Sequence, residues 1–407
     1  MKPLFYPGDV LYVRKTDFNR LKVHDLIIAE KDKRCFAHRI IYRTDKYLIT
    51  KGDNNFRSDG KIYPKQVIGK IFRIKRKREL LDIENFYLIQ SSIFYQEIVR
   101  IKKNFQKMNI KFVFLKGLPV YLYYYGTHPR RLYADCDLLV YESDFPIIDK
   151  LMSEKGYIKP ETSLTPYHKL LKNKLTEISY MKILRQLPVV LDIHFEPVFL
   201  MNQIGSLENL YPRKLVNRMT SEFISEARTI EISKEKFPIL SEVNLIIYLA
   251  LHFFRHNYRN ITRLEFIDKV VKKELLYFSS GNSTTFKKKI CLKLKKKMIK
   301  FRLQAFIFPV FKMLEKYFKL SLPDSFLNSI KPENNKISYF KKNILTINVF
   351  DDEPRIKAGL FRFKKLYFLS DSRLYKKLFI FLSPAVFFSM IWIVSKKFTY
   401  RVKRFFS

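Results

Sequence analysis

Two short apolar segments constrain this chain most: ADCDLLV, residues 134–140, and VVLDIHF, residues 189–195. Both read as buried strands. Side chains alternate between the two faces of a strand, so Asp135 and Asp137 share one side while Cys136 and Leu138 take the other. By the same parity Val190, Asp192 and His194 share a face, opposite Leu191, Ile193 and Phe195. A neighbouring strand would bring Asp192 beside the other two acids. Three carboxylates on adjacent strands repel unless protonated or bound to a cation. Mg²⁺ held by carboxylates together with substrate phosphates is the chemistry of phosphoryl and nucleotidyl transfer. Salt-bridged structural acids would leave the same pattern, and a DxD pair alone is common in acidic turns.

Upstream, IKFVFLKG ends an apolar strand on Lys116 and Gly117. A glycine there lets backbone N–H groups approach phosphate, and the lysine supplies a point charge. Arg130 and Arg131 stand just before the acids, where a guanidinium can bind phosphate oxygens.

The 407 residues suffice for two or three domains, and 47% hydrophobic residues with 38 Phe and 25 Tyr exclude a disordered chain. Three separated cysteines, Cys35, Cys136 and Cys291, argue against a disulfide framework or a structural zinc site. Lys and Arg total 78 against 38 acids, a net charge of +40. That excess attracts nucleotides, nucleic acid or anionic lipid, although an AT-rich coding bias toward Lys would also produce it.

Residues 1–77 read as short strands punctuated by Gly, Asp and Asn, with RIKRKRE, residues 73–79, as the connector to the next domain. A long helical pattern follows, then the strand-bearing unit over 78–240. From 241 to 345 the period is helical, with Ser241 as N-cap. There Phe286, Ile290, Leu294, Met298, Phe301 and Ala305 form one apolar stripe. The lysines between them form either a solvated face or a phosphate-contacting one. His252 and His256 stand at i and i+4, as metal ligands or as structural histidines. The tail, 346–407, is basic and aromatic, suited to an anionic membrane surface or to packing on the preceding helices. Leu378 to Val394 carry no charge but fall short of the ~20 residues of a spanning helix. With no cleavable leader pattern at Met1, a cytoplasmic protein, at most at the inner face of a membrane, is expected.

The order LKG, DxDLLV, Gly156-Tyr157 and LDIH resembles the uncharacterised nucleotidyltransferase family with the DNA polymerase β-like fold. The resemblance takes in the later helical segment with His252 and RLEFID, residues 263–268. It implies Asp135, Asp137 and Asp192 as catalytic metal ligands for two Mg²⁺ ions. Lys116, Gly117 and Arg131 fall at the nucleotide, and His194 behind the third acid. It also implies a nucleoside triphosphate substrate and an acceptor that is protein, RNA or a small molecule. The superfamily's usual Gly-Ser is Lys-Gly here.

Residues 1–71 carry a second pattern, with PGDVLYV, FAHRIIYR and KGDNNFRSDG. It resembles the signal peptidase I family in its endoplasmic-reticulum and archaeal branch. That resemblance implies His38 as base and Asp59 as orienting acid, with Asp53 in the GDNN turn. The family's nucleophilic serine would fall one residue before Met1. The expectation is therefore an α+β chain: a β-rich, signal-peptidase-like domain fused to a nucleotidyltransferase α/β domain with a helical C-terminal extension. The first domain would bind a peptide, or act as a serine endopeptidase if a serine is encoded upstream. Signal peptidases and nucleoside triphosphates belong to opposite sides of a membrane, and the cytoplasmic side is the one expected.

Overall fold

A computed structural model describes residues 4–133, 135–159, 176–185, 187–197, 207–276, 283–353 and 355–379. The first sheet has seven strands: β1 (Val10–Arg14), β2 (Leu26–Lys31), β3 (Arg34–Arg43), β4 (Leu48–Lys51), β5 (Lys61–Ile62), β6 (Val67–Arg76) and β7 (Glu79–Asp82). They run β1-β6-β2-β3-β4-β5 with β7 added on β6, and every pairing is antiparallel. Asp32 and Lys33, both at positive φ, close the tight β2–β3 hairpin, the backbone a two-residue turn requires. The basic stretch expected to connect domains is instead a hairpin: Arg73–Arg76 finish β6, Lys77 turns at φ +53°, and β7 returns along β6.

Asp82 then caps α1 (Ile83–Lys107), its Oδ1 accepting from the backbone N–H groups of Glu84 and Asn85 at 3.1 and 3.2 Å. One face of α1, including Phe94, Ile98, Ile101 and Phe105, is buried. The second sheet comprises β8 (Phe112–Lys116), β9 (Asp135–Val140), β10 (Glu177–Leu184), β11 (Leu187–His194), β12 (Arg228–Ile232) and β13 (Glu235–Ile239), in the order β10-β11-β9-β8-β13-β12. β11 runs parallel to β9, and β8 antiparallel to it. Helices α2 (Leu118–Tyr125), α3 (Phe145–Glu154) and α4 (Arg213–Ser225) interleave with these strands.

The helical part contains α5 (Glu242–Arg255), α6 (Ile261–Val271), α7 (Ser283–Lys300), α8 (Gln304–Phe318), α9 (Asp324–Ser329), α10 (Asn334–Asn343), α11 (Arg355–Leu369) and α12 (Leu374–Phe379). α5 is buried almost all round, the mark of a core helix. Ser241 is its N-cap by position, but its hydroxyl makes no capping bond and is buried without a partner among the described residues. The expected stripe is core from Ile290 to Ala305. Among its lysines, Lys297 is neither solvated nor phosphate-facing. It is buried, its Nζ 2.7 Å from Glu226 and 2.8 Å from Asn244.

One apolar core spans the second sheet and the helices and takes in Ile41 and Ile49 of the first sheet. The C-terminal part also grips that sheet: Ser58 donates through N and Oγ to Asp351 and Lys51 pairs with Asp352, both in the loop before α11, and the Tyr42 hydroxyl donates to the Tyr317 carbonyl of α8. Among the described residues no helix is long and apolar enough to cross a membrane. The uncharged run from Leu378 and the aromatic-basic end lie outside the described residues from 380 onward.

Candidate active site

The parallel register of β11 on β9 sets Asp192 opposite Asp137, with Val190 opposite Asp135. Strand alternation then puts all three acids on one face, and ligand atoms of Asp135, Asp137 and Asp192 lie within 4.8 Å of one another. On the other flank a bulge between Phe114 and Lys116 sets Lys116 opposite Asp137. Its Nζ lies 3.1 Å from Asp135 Oδ2 and 3.1 Å from Asp137 Oδ2. Gly117 follows at φ +116°, and a Cβ there would come within 2.7 Å of Cys136 Sγ. Its glycine is thus required by the strand–helix turn and by contact with β9.

Asp137 is 3% exposed. Its Oδ2 accepts from the Tyr248 hydroxyl at 3.1 Å and faces His194 Nε2 at 3.4 Å. Its Oδ1 is buried with no hydrogen-bond partner among the described residues. Burial alone would raise this carboxyl's pKa, but the Lys116 charge and His194 hold it well below the usual carboxylate range. Burial likewise works against the Lys116 ammonium, and the two aspartates outweigh it, raising its pKa. Asp192 is shifted the other way: burial and the neighbouring Asp137 charge raise it, while Ser179 Oγ donates to its Oδ1 at 2.5 Å.

Behind Asp137 runs a chain of polar contacts. His194 Nδ1 faces Glu177 Oε2 at 3.6 Å, and Arg255 holds both Glu177 oxygens at 2.6 and 2.9 Å. His252 and His256 line the same cavity with ring centroids 4.6 Å apart. Burial, reinforced by nearby cations and, for His252, by His256, pushes both pKa values well below the ordinary 6.5. The one cluster of metal-ligand type among the described residues is the aspartate trio, and it does not include them.

The cavity holds about 390 Å³ and is lined also by Arg131 and Arg263. Among the described residues neither arginine makes an ion pair; Arg131 donates to the Tyr133 hydroxyl at 3.1 Å. Arg130 turns away, 3.4 Å from Asp25 and 3.5 Å from Glu84, so it tethers the first sheet and α1 rather than the cavity. A second cavity of about 330 Å³ shares Arg131, Asn260 and Thr262 with the first and reaches Arg39, Lys51 and Asn54 of the first sheet. A third, of about 490 Å³, gathers Arg14, Asp25, Lys70 and Tyr87 but, Arg130 apart, none of the predicted residues.

Residues 77–270 match the model of a family described as uncharacterised nucleotidyltransferase. No curated protein matches the chain. The matched range holds all three aspartates, Lys116, Gly117, Arg131, His194, Tyr248, Arg255 and Arg263, and the family suggests a transferase.

In the first sheet, His38 Nδ1 lies 2.7 Å from Asp59 Oδ2, and Thr50 Oγ1 donates to the same oxygen at 2.7 Å. Asp53 forms a two-point pair with Arg39 at 2.8 Å each. These residues lie outside the matched range, and the likeness to signal peptidases rests on the sequence pattern.

Five lining or supporting residues escaped sequence reading: Glu177, Ser179, Tyr248, Arg255 and Arg263. Four of them carried a signal. Tyr248, His252, Arg255 and His256 form a polar stripe on the otherwise apolar α5. Glu177 and Ser179 fall two apart on β10, the parity of one strand face.

Proposed function

We propose that the three-aspartate cavity transfers a nucleoside monophosphate from a nucleoside triphosphate to an acceptor hydroxyl. The observation that carries this reading is the convergence of Asp135, Asp137 and Asp192 within 4.8 Å, with Asp137 Oδ1 unpartnered, inside the matched range. Mg²⁺ ions held by those carboxylates would neutralise triphosphate charge and lower the pKa of the attacking hydroxyl. Lys116, Arg131 and Arg263 face the phosphates, the two arginines being free of carboxylate partners among the described residues. The acceptor oxygen forms a bond to the α-phosphorus, the bond from that phosphorus to the bridging oxygen breaks, and pyrophosphate leaves with the electron pair. The hydroxyl proton passes to solvent. The adjoining cavity toward Arg39 and Asn54 offers the acceptor an approach walled by the first sheet.

Incubation with cell extract and either α- or γ-labelled triphosphate tests this. Label should enter product from the α position only; label from the γ position would mean phosphoryl transfer and overturn the reading.

A second reading is favoured by the His38–Asp59 contact at 2.7 Å, the orientation a serine peptidase base requires. It makes the first sheet a signal-peptidase-like endopeptidase when a serine is supplied to His38, and otherwise a peptide-binding unit. Reaction of a fluorophosphonate probe with a chain given a serine immediately before Met1, lost in His38→Ala, would support it; no labelling of that chain would remove it.

A further inference from the structure

Lys116 stands where a cation must act in the aspartate trio. Its ammonium touches Asp135 Oδ2 and Asp137 Oδ2, both at 3.1 Å, and its side chain is 20% exposed. The contact is built into the backbone by the bulge that sets Lys116 opposite Asp137. Three carboxylates and one ammonium leave two negative charges, which one divalent ion neutralises. An ammonium and a metal ion cannot share the same carboxylate oxygens without strong repulsion, since a metal ligand lies at about 2.1 Å and an ammonium partner at about 2.8 Å. Asp137 Oδ1 has no hydrogen-bond partner among the described residues, and Oδ2 is committed to Lys116 and Tyr248.

We infer that Lys116 is a displaceable counter-ion, holding Asp135 and Asp137 until a metal-bound triphosphate draws its ammonium onto the phosphate oxygens. The inference rests on the transferase reading and deepens it. Lys116 opposes metal binding to the free protein and favours nucleotide binding, so metal and nucleotide bind as a coupled pair. A lysine that merely braces the fold would support both events alike.

The test is titration of Mn²⁺ into the full chain, read by the electron paramagnetic resonance of free Mn²⁺, on wild type, Lys116→Met and Lys116→Arg. Circular dichroism checks folding, and Lys116→Gln replaces Lys116→Met if the latter does not fold. Without nucleotide, the neutral variant should bind Mn²⁺ roughly 5- to 150-fold more tightly than wild type, the range of ordinary coupling. Lys116→Arg should stay near wild type, and the neutral variant should lose affinity for a fluorescent triphosphate analogue. Unchanged or weaker Mn²⁺ binding by a folded neutral variant overturns the inference while leaving the metal site in place. No Mn²⁺ binding by any of the proteins overturns the metal site and the inference together.

Discussion

Asp192 of β11 lies in register with Asp137 of β9 across a parallel pairing, so a half-buried acid and a buried one from distant parts of the sequence face one another. Lys116 contacts Asp135 and Asp137 but forms no ion pair with Asp192 among the described residues. Burial and the Asp137 charge both disfavour an ionised Asp192. Asp192→Asn should therefore stabilise the metal-free protein while abolishing transfer. A relief of about 1 kcal/mol raises Tm by roughly 2–4 °C in a domain of this size. Thermal melts in EDTA check it; a lower Tm would mean that Asp192 is held by favourable contacts.

Glu265 on α6 sits 3.7 Å from His24 of the first sheet. Burial raises its carboxyl from the ordinary 4.5 to about 7, and Arg131 only partly opposes this. Burial and the charges of Arg131 and Arg39 keep His24 neutral, its pKa lowered to about 3. The folded protein then holds a proton on Glu265 that the unfolded chain releases above pH 4.5. Stability should fall as pH rises from about 4.5 to 7, by up to about 3 kcal/mol from this group. Glu265→Gln should remove this contribution, so the variant's stability at pH 8 relative to pH 5, read by urea titration, should exceed the wild type's. His24, which acts in the opposite direction over this range, is common to both proteins. An unchanged difference between the two pH values would contradict the assignment.

Asp352 neutralises Lys51, whose side chain is 9% exposed between the first sheet and the loop before α11. Asp352→Asn should cost about 1.5–3 kcal/mol, the worth of a hydrogen bond to a charged group. Because Ser58 anchors the adjoining Asp351, the loss should appear first as exposure of the 51–58 backbone in hydrogen exchange. Uniform exchange across both sheets would argue against a local clamp.

Gly117→Ala places a methyl 2.7 Å from Cys136 Sγ on a residue held at φ +116°. The strained backbone alone costs about 1–3 kcal/mol. Chemical denaturation should show a loss at least that large. A neutral effect would mean that the β8–α2 turn relaxes freely.

The aspartate trio was legible because strand parity is local: two acids two residues apart must share a face wherever the strand lies. Lys116 was legible by its place after an apolar strand, yet its grip on two aspartates depends on a bulge that no residue announces. Glu177, Ser179 and Arg263 reach the cavity only through the pairing of β10 on β11 and the packing of α6, relations between segments far apart in sequence. Arg130 and Arg131 look equivalent as neighbours; the first sheet's buried Asp25 claims Arg130 and leaves Arg131 to the cavity. The run at 73–79 looked like a linker because its charges hide a strand whose apolar side chains, Ile71 and Ile74, are buried on the other face.

The account's central claim is that these aspartates bind a metal–triphosphate complex. Isothermal calorimetry of each nucleoside triphosphate with Mg²⁺, on wild type and Asp137→Asn, tests it most directly. The account predicts Mg²⁺-dependent binding of at least one nucleotide to wild type and its loss in the variant. Equal binding to both proteins, or none to wild type with any of the four, would contradict it.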